Sequence, residues 1–208
     1  MLGIAVAVIV SGALDLAAIA RGWTKARYVW KPLTMLLILM MAWMGADVGE
    51  SQAVWILIGL VLSLAGDVFL VLPSDRFLSG LVAFLAAHLC YIVSFSQQSA
   101  GSDSAIGAAI ALALFGLAFF LLLFRGVRSA GGAGLLVAVA CYILVILVMV
   151  WSAVRAGDSL LLAGAVSFMV SDAILAWGRF MKNSLTGELA VMVTYYAAQC
   201  LIAASLFV

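Results

Sequence analysis

Apolar runs of roughly twenty residues follow one another along the whole chain, each broken by a short stretch of charge, glycine or proline. One helix needs a run of that length to cross a hydrocarbon core about 30 Å thick. Eight runs qualify: 2–20, 32–46, 53–72, 77–97, 104–124, 131–153, 158–178 and 186–207. The second is short and is expected to extend into its flanks. Open sheet in lipid would leave backbone groups unpaired at prohibitive cost, and the polar-inside alternation of a membrane barrel is absent. The expected fold is all-α: a single transmembrane domain over 1–208, built as an integral membrane bundle of eight transmembrane helices. Composition agrees, with 68% hydrophobic and 9% charged residues, against about 25% charged in an average globular protein. A soluble chain of this length could not hide so much apolar surface.

The basic residues suggest an orientation. The odd-numbered connections hold Arg21, Lys25, Arg27, Lys31, Arg76, Arg125, Arg128, Arg179 and Lys182, while the even-numbered ones hold only Arg155. Basic loops stay in the cytoplasm, so both termini are expected on the non-cytoplasmic side. The basic stretch RGWTKARYVWK follows the first apolar run instead of preceding it. That order predicts a retained helix and not a cleaved signal peptide. The loops are short, so function is expected in the bundle or at its mouths, and they suit a bacterial inner membrane. A net charge of +1 gives no reason to expect nucleic acid as a partner. Cys90, Cys141 and Cys200 lie in apolar runs without C-x-x-C spacing and read as packing residues.

Three of the nine acidic residues, Asp15, Asp67 and Asp172, fall inside spans. A charged Asp at mid-span costs about 2.5–3.5 kcal/mol on insertion scales, so such residues usually face a bundle interior and serve function. The other six (Asp47, Glu50, Asp75, Asp103, Asp158 and Glu188) read as solvated loop charges. The three helices bearing the inner acids run in the same direction. Each acid lies a few residues before its helix's cytoplasmic end, on the order of 8 Å deep at 1.5 Å per residue. The three are therefore expected to share one layer around one cytoplasm-facing cavity. Ser11 and Ser63 stand one turn before Asp15 and Asp67, and Ser171 directly precedes Asp172. From the opposite direction His88 and Tyr91 on the fourth span, and Tyr195, Tyr196 and Gln199 on the eighth, reach mid-membrane. They read either as hydrogen-bonded packing groups or as the floor of that cavity.

One histidine and scattered cysteines do not make a usual catalytic zinc set, and no G-x-S-x-G, P-loop or H-E-x-x-H occurs. No metal and no cofactor is expected. A carboxyl pair remains: one protonated acid and one ionised base, split by burial and mutual repulsion, as glycosidases use across an acetal.

The two main acidic segments echo each other. SLAGDVFL is followed by Arg76-Phe77, and SDAIL by Arg179-Phe180, four predicted helices later. This is the trace expected of a duplicated four-helix unit. The ordered set KPL (31–33), GDVFL (66–70), RF with Gly80, H-x-x-Y (88–91), SDAIL (171–175) and Y-x-x-x-Q (195–199) resembles the YhhN/TMEM86 family over nearly the whole chain. Characterised members of that family are lysoplasmalogenases. The resemblance implies hydrolysis of the vinyl ether of a lysophospholipid to a fatty aldehyde and a glycerophospho-base, with water as the only co-substrate. Asp67 and Asp172 are then the expected catalytic pair, with the roles of acid and base open between them. Lys31, Arg76 and Arg179 would meet the phosphate, unless they only anchor the positive-inside loops. Asp15, His88, Tyr91, Tyr195, Tyr196 and Gln199 would line the pocket, and membrane lipids would surround it. The rival reading is an ion-coupled transporter, since intramembrane acids also serve as proton or cation sites. A non-catalytic lipid-binding protein is a third.

Overall fold

A computed structural model describes residues 2–72, 76–98 and 105–208. Asp75 and Asp103 lie outside the described residues. Every regular element among those described is helical: α1 (Leu2–Ala20), α2 (Thr24–Gly45), α3 (Ser51–Val71), α4 (Phe77–Ser96), α5 (Ala105–Ala156), α6 (Ser159–Phe180) and α7 (Leu185–Ala204), closed by a 3₁₀ turn at Ser205–Phe207. Among the described residues, seven helices are long and apolar enough to cross a membrane, and the chain is an integral multi-pass membrane protein. Successive helices pack side by side, and α7 returns to pack on α1, α2 and α3, so the bundle closes on its last long helix.

Two elements differ from the runs read in the sequence. Helix α2 begins at Thr24, well before the expected position 32, and carries Lys25, Arg27, Lys31 and Pro32 inside it. Pro32 has no N–H to give the preceding turn, yet the helix passes through it. Arg27 and Lys31, one turn apart, each face a buried carboxylate here, and those partners explain why a basic stretch joins the helix instead of the loop.

Helix α5 spans 52 residues, where two runs with a basic loop at 125–130 are expected. Its helical path breaks later, at Gly131 (φ −157°) and Gly132 (φ +67°). Only glycine takes the second conformation without strain, so the break falls in GGAG while Arg125 and Arg128 stay helical. Past the break the chain folds back. The Trp151 indole donates to the Ala105 carbonyl at 3.0 Å, which brings the end of the second arm to the start of the first. Each arm is on the order of 35–40 Å long at 1.5 Å per residue.

Gly66 fixes the approach of α4 to α3. A Cβ there would meet the Phe84 ring at 2.7 Å. Phe84 cannot swing aside freely, because it stands edge-on to Phe168 (6.2 Å between centroids) and to Tyr195 (5.8 Å). We expect Gly66→Ala to cost about 1–3 kcal/mol, the range for overpacking a filled core. The readout is a lower Tm in detergent, with Gly3→Ala as control, since nothing lies within 4 Å of a Cβ at Gly3.

Candidate active site

Asp67 sits on the inner face of α3, one turn after Ser63, and is 1% exposed. Each of its oxygens faces a partner. Lys31 Nζ, on α2, is 3.0 Å from Oδ1, and the Tyr195 hydroxyl, on α7, donates to Oδ2 at 2.6 Å. Three helices thus converge on one carboxylate. Asp172, on α6, has a different setting. The Tyr142 hydroxyl, from the second arm of α5, donates to its Oδ2 at 2.6 Å. His88 Nε2 stands 3.7 Å from the same oxygen, beyond hydrogen-bond range.

Both carboxylates line one open cleft of about 570 Å³, together with Phe84, Ser171 and Tyr195. The same cleft is lined by Arg27, Lys31, Arg76, Arg179 and Lys182, and by Glu188 as the third acid. Among the described residues, five cations against three acids favour an anionic group in the cleft, with the two inner carboxylates beside it. The two Arg-Phe pairs of the sequence echo meet here: Phe77 and Phe180 stand edge to face at 5.8 Å, and the Arg179 guanidinium lies 4.6 Å over the Phe77 ring. Between the acids, His88, Phe168, Phe84 and Tyr195 form a run of edge-on ring contacts.

The expectation of three acids around one cavity is corrected for Asp15. That carboxylate is fully buried and is absent from the cleft wall. It accepts from the Tyr196 hydroxyl at 2.9 Å and lies 3.9 Å from Arg27 Nε. Arg21, just past the end of α1, stacks over Trp23 at 4.9 Å. The cause is helical geometry. Consecutive residues leave a helix about 100° apart, so Tyr195 and Tyr196 point to different sides of α7, one toward Asp67 and one toward Asp15.

Of the five mid-membrane polar residues, Tyr195 alone forms part of the cleft wall. His88 packs beside Asp172, and Tyr91 donates to Gln199 Oε1 at 2.8 Å in a fully buried layer. Lys31, Arg76 and Arg179 all line the cleft, and Lys31 is turned onto Asp67. Sequence reading passed over Arg27, Lys182 and Tyr142. Arg27 had a signal, its one-turn spacing from Lys31. Tyr142 had only a hydroxyl within an apolar run. Glu188, read as a loop charge, belongs to the first turn of α7, where it accepts from Asn183 at 2.8 Å and faces Arg27 at 3.9 Å.

Removing either phenol that holds an acid should slow turnover without emptying the site. A hydrogen bond to a charged group contributes about 1.5–3 kcal/mol. Tyr195→Phe and Tyr142→Phe are therefore expected to lower kcat by roughly ten- to a hundredfold, with KM little changed, in steady-state assays of the purified protein.

A family model described as the YhhN family matches residues 26–206. The chain is 32% identical over 181 residues to a mouse protein named lysoplasmalogenase TMEM86B, an alignment covering 86% of this chain and 74% of the relative. It is 29% identical over 181 residues to a Mycobacterium bovis protein named lysoplasmalogenase, covering 84% and 68%. It is also 40% identical over 93 residues to the Escherichia coli membrane protein YhhN, a stretch that covers 45% of this chain and less than half of that relative, 44%. No solved structure matches the chain.

Proposed function

This chain belongs to the YhhN family, and on that premise we propose that it is a lysoplasmalogenase-like ether hydrolase that cleaves the vinyl ether of a lysophospholipid in a bacterial inner membrane. The observation that carries the reading is the single cleft lined by Asp67, Asp172 and a set of cations. A lysolipid has a phosphate for the cations and an acid-labile bond for the carboxyls.

The two acids have separable roles. Asp67 faces the Lys31 ammonium, which favours its carboxylate form, so it is the base. Asp172 has a phenol and an imidazole beside it where Asp67 has an ammonium, so it is assigned as the acid. Asp172 gives that proton to the vinyl carbon distant from the ether oxygen, and the carbon next to the oxygen becomes an oxocarbenium ion. Asp67 takes a proton from water as the water adds to that carbon. The resulting hemiacetal collapses: its hydroxyl proton returns to Asp172, the carbon–oxygen bond breaks, and Asp67 passes its proton to the departing glycerol oxygen. The products are one aldehyde and one glycerophospho-base for one water consumed, with both acids restored. The Phe84 and Tyr195 rings line the cleft beside the cationic intermediate, and ionised Asp67 supplies the opposing charge.

In this reading each arm of α5 crosses the membrane, giving eight crossings. The end of the bundle bearing Arg76 and Arg179 faces the cytoplasm, and both termini lie on the other side. The meeting of Phe77 and Phe180 supports a duplicated four-helix unit. The test is purified protein in detergent mixed with lysoplasmalogen and scored for free aldehyde. Aldehyde release without a sealed membrane supports the hydrolase over the transporter reading. No release, with the protein monodisperse and lysolipid bound, overturns it.

A further inference from the structure

Asp172 borders a second space. Opposite the polar cleft, an apolar slot of about 60 Å³ lies between α4, both arms of α5 and α6. Leu81, Phe115, Phe119, Ile143, Leu147 and Ala173 form much of its wall. Among the described residues, Asp172 and Tyr142 are the only ones lining it that carry a polar side-chain group. Leu70, Phe77, Phe84, Asp172 and Leu175 face both spaces, so the slot and the cleft adjoin along the edge that holds the carboxyl.

We infer that this slot takes the hydrocarbon chain of a single-chain ether lipid, placing the bond to be cleaved at Asp172 and the head group in the cleft, and that Ala173 and Phe115 help set which chains are accepted. The inference rests on the reading of the cleft as an ether-hydrolysing site. Three observations carry it. The change from charged to apolar lining occurs at the carboxyl itself, as it does along such a substrate at the ether. The slot is small, about 60 Å³, so it takes the part of the chain next to the ether and leaves the remainder to the lipid. Finally, Phe115 is a wall residue yet 44% exposed on the outer face of the bundle, so the slot reaches the surface that meets membrane hydrocarbon. From Val139 to Leu147 the α5 wall runs on the order of 12 Å at 1.5 Å per residue. A hexadecenyl chain is longer, and its end passes out beside Phe115 into lipid.

Two measurements test this on the full-length protein. The first uses a non-cleavable saturated alkyl lysophospholipid with a diazirine partway along its chain, photolysed and mapped by peptide mass spectrometry. Labels on the segments holding Phe115, Leu147 or Ala173 are expected. Labels confined to outward faces elsewhere, such as the groove between Leu39 and Leu62 on α2 and α3, overturn the inference. This readout needs no turnover. Slot labelling without aldehyde release would retain the chain site and reject the hydrolase reading, and aldehyde release with labels elsewhere would do the reverse.

The second compares hexadecenyl with butenyl substrates. Each methylene kept out of an apolar site is worth about fourfold in kcat/KM. Ala173→Phe, which fills the slot, is expected to lower the hexadecenyl value more than about tenfold while the butenyl value stays within about twofold. An equal fall for both substrates means that the change only disturbed Asp172, and it overturns the assignment. Phe115→Ala, at a half-exposed position, is the companion variant should Ala173→Phe fail to fold. It should admit a chain branched near its middle that the wild type rejects, and an unchanged rejection counts against the slot.

Discussion

Asp172→Asn should leave a folded protein that releases almost no aldehyde, with kcat down by about 10²–10⁴ and KM close to wild type. That is the usual worth of a positioned proton donor, and the amide keeps the shape of the carboxyl while removing its transferable proton. Asp67→Asn should lose turnover to a similar degree, for the opposite reason: an amide cannot take the proton from water. The two variants should still differ. Asn at 172 meets a phenol and an imidazole, neither of which needs a counter-charge. Asn at 67 leaves the buried Lys31 ammonium facing a neutral group, so this variant should also lose thermal stability. Kinetics and a melting curve on both proteins check this pattern. If both keep near-wild-type turnover, the carboxyl pair is not the catalytic centre.

Lys31→Met should have the largest effect on stability. Lys31 and Asp67 are 6% and 1% exposed, and their charged groups are 3.0 Å apart. Breaking a buried ion pair by removing one partner costs about 3–5 kcal/mol, because an uncompensated charge stays behind. For a chain of this size each kcal/mol moves Tm by roughly 2–4 °C, so a fall of roughly 6–20 °C is expected. The double variant Lys31→Met with Asp67→Asn removes both charges. It should regain most of that stability and remain inactive, which separates the structural worth of the pair from its chemical role. If Lys31→Met melts and turns over like the wild type, the contact holds neither the fold nor the base.

Lipid-facing runs are long and unmistakable, so the sequence made the helical bundle legible, together with the acids worth watching. The break inside α5 was legible as a break but not at its position. Arg125 and Arg128 resemble a loop, yet their helix propensity is good, and the turn waits for glycines that can adopt a positive φ. The reach of α2 through Lys31 was hidden because it depends on carboxylates from two other helices. Partnership was the hardest part to read. Depth along a helix put Asp15, Asp67 and Asp172 in one layer, but depth says nothing of azimuth, and azimuth separates Asp15 from the other two. Tyr142 was invisible for the same reason, since a lone hydroxyl in an apolar run points somewhere that only packing decides.

The neighbouring phenols of α7 have a consequence for how this chain tolerates length changes. A helix with one buried partner can roll a little to follow it. Tyr195 and Tyr196 bind carboxylates on two different helices, so rolling toward one pulls away from the other, and α7 is locked against rotation. An insertion or deletion of one residue inside 185–194 would turn everything beyond it by about 100° and strip both acids of their phenols at once. The same change in the Gly131–Gly134 turn, where a Cβ on Gly132 or Gly134 would meet no neighbour within 4 Å, only alters a hinge between two arms. Length variation should therefore be absorbed at the α5 turn and rejected in the first half of α7.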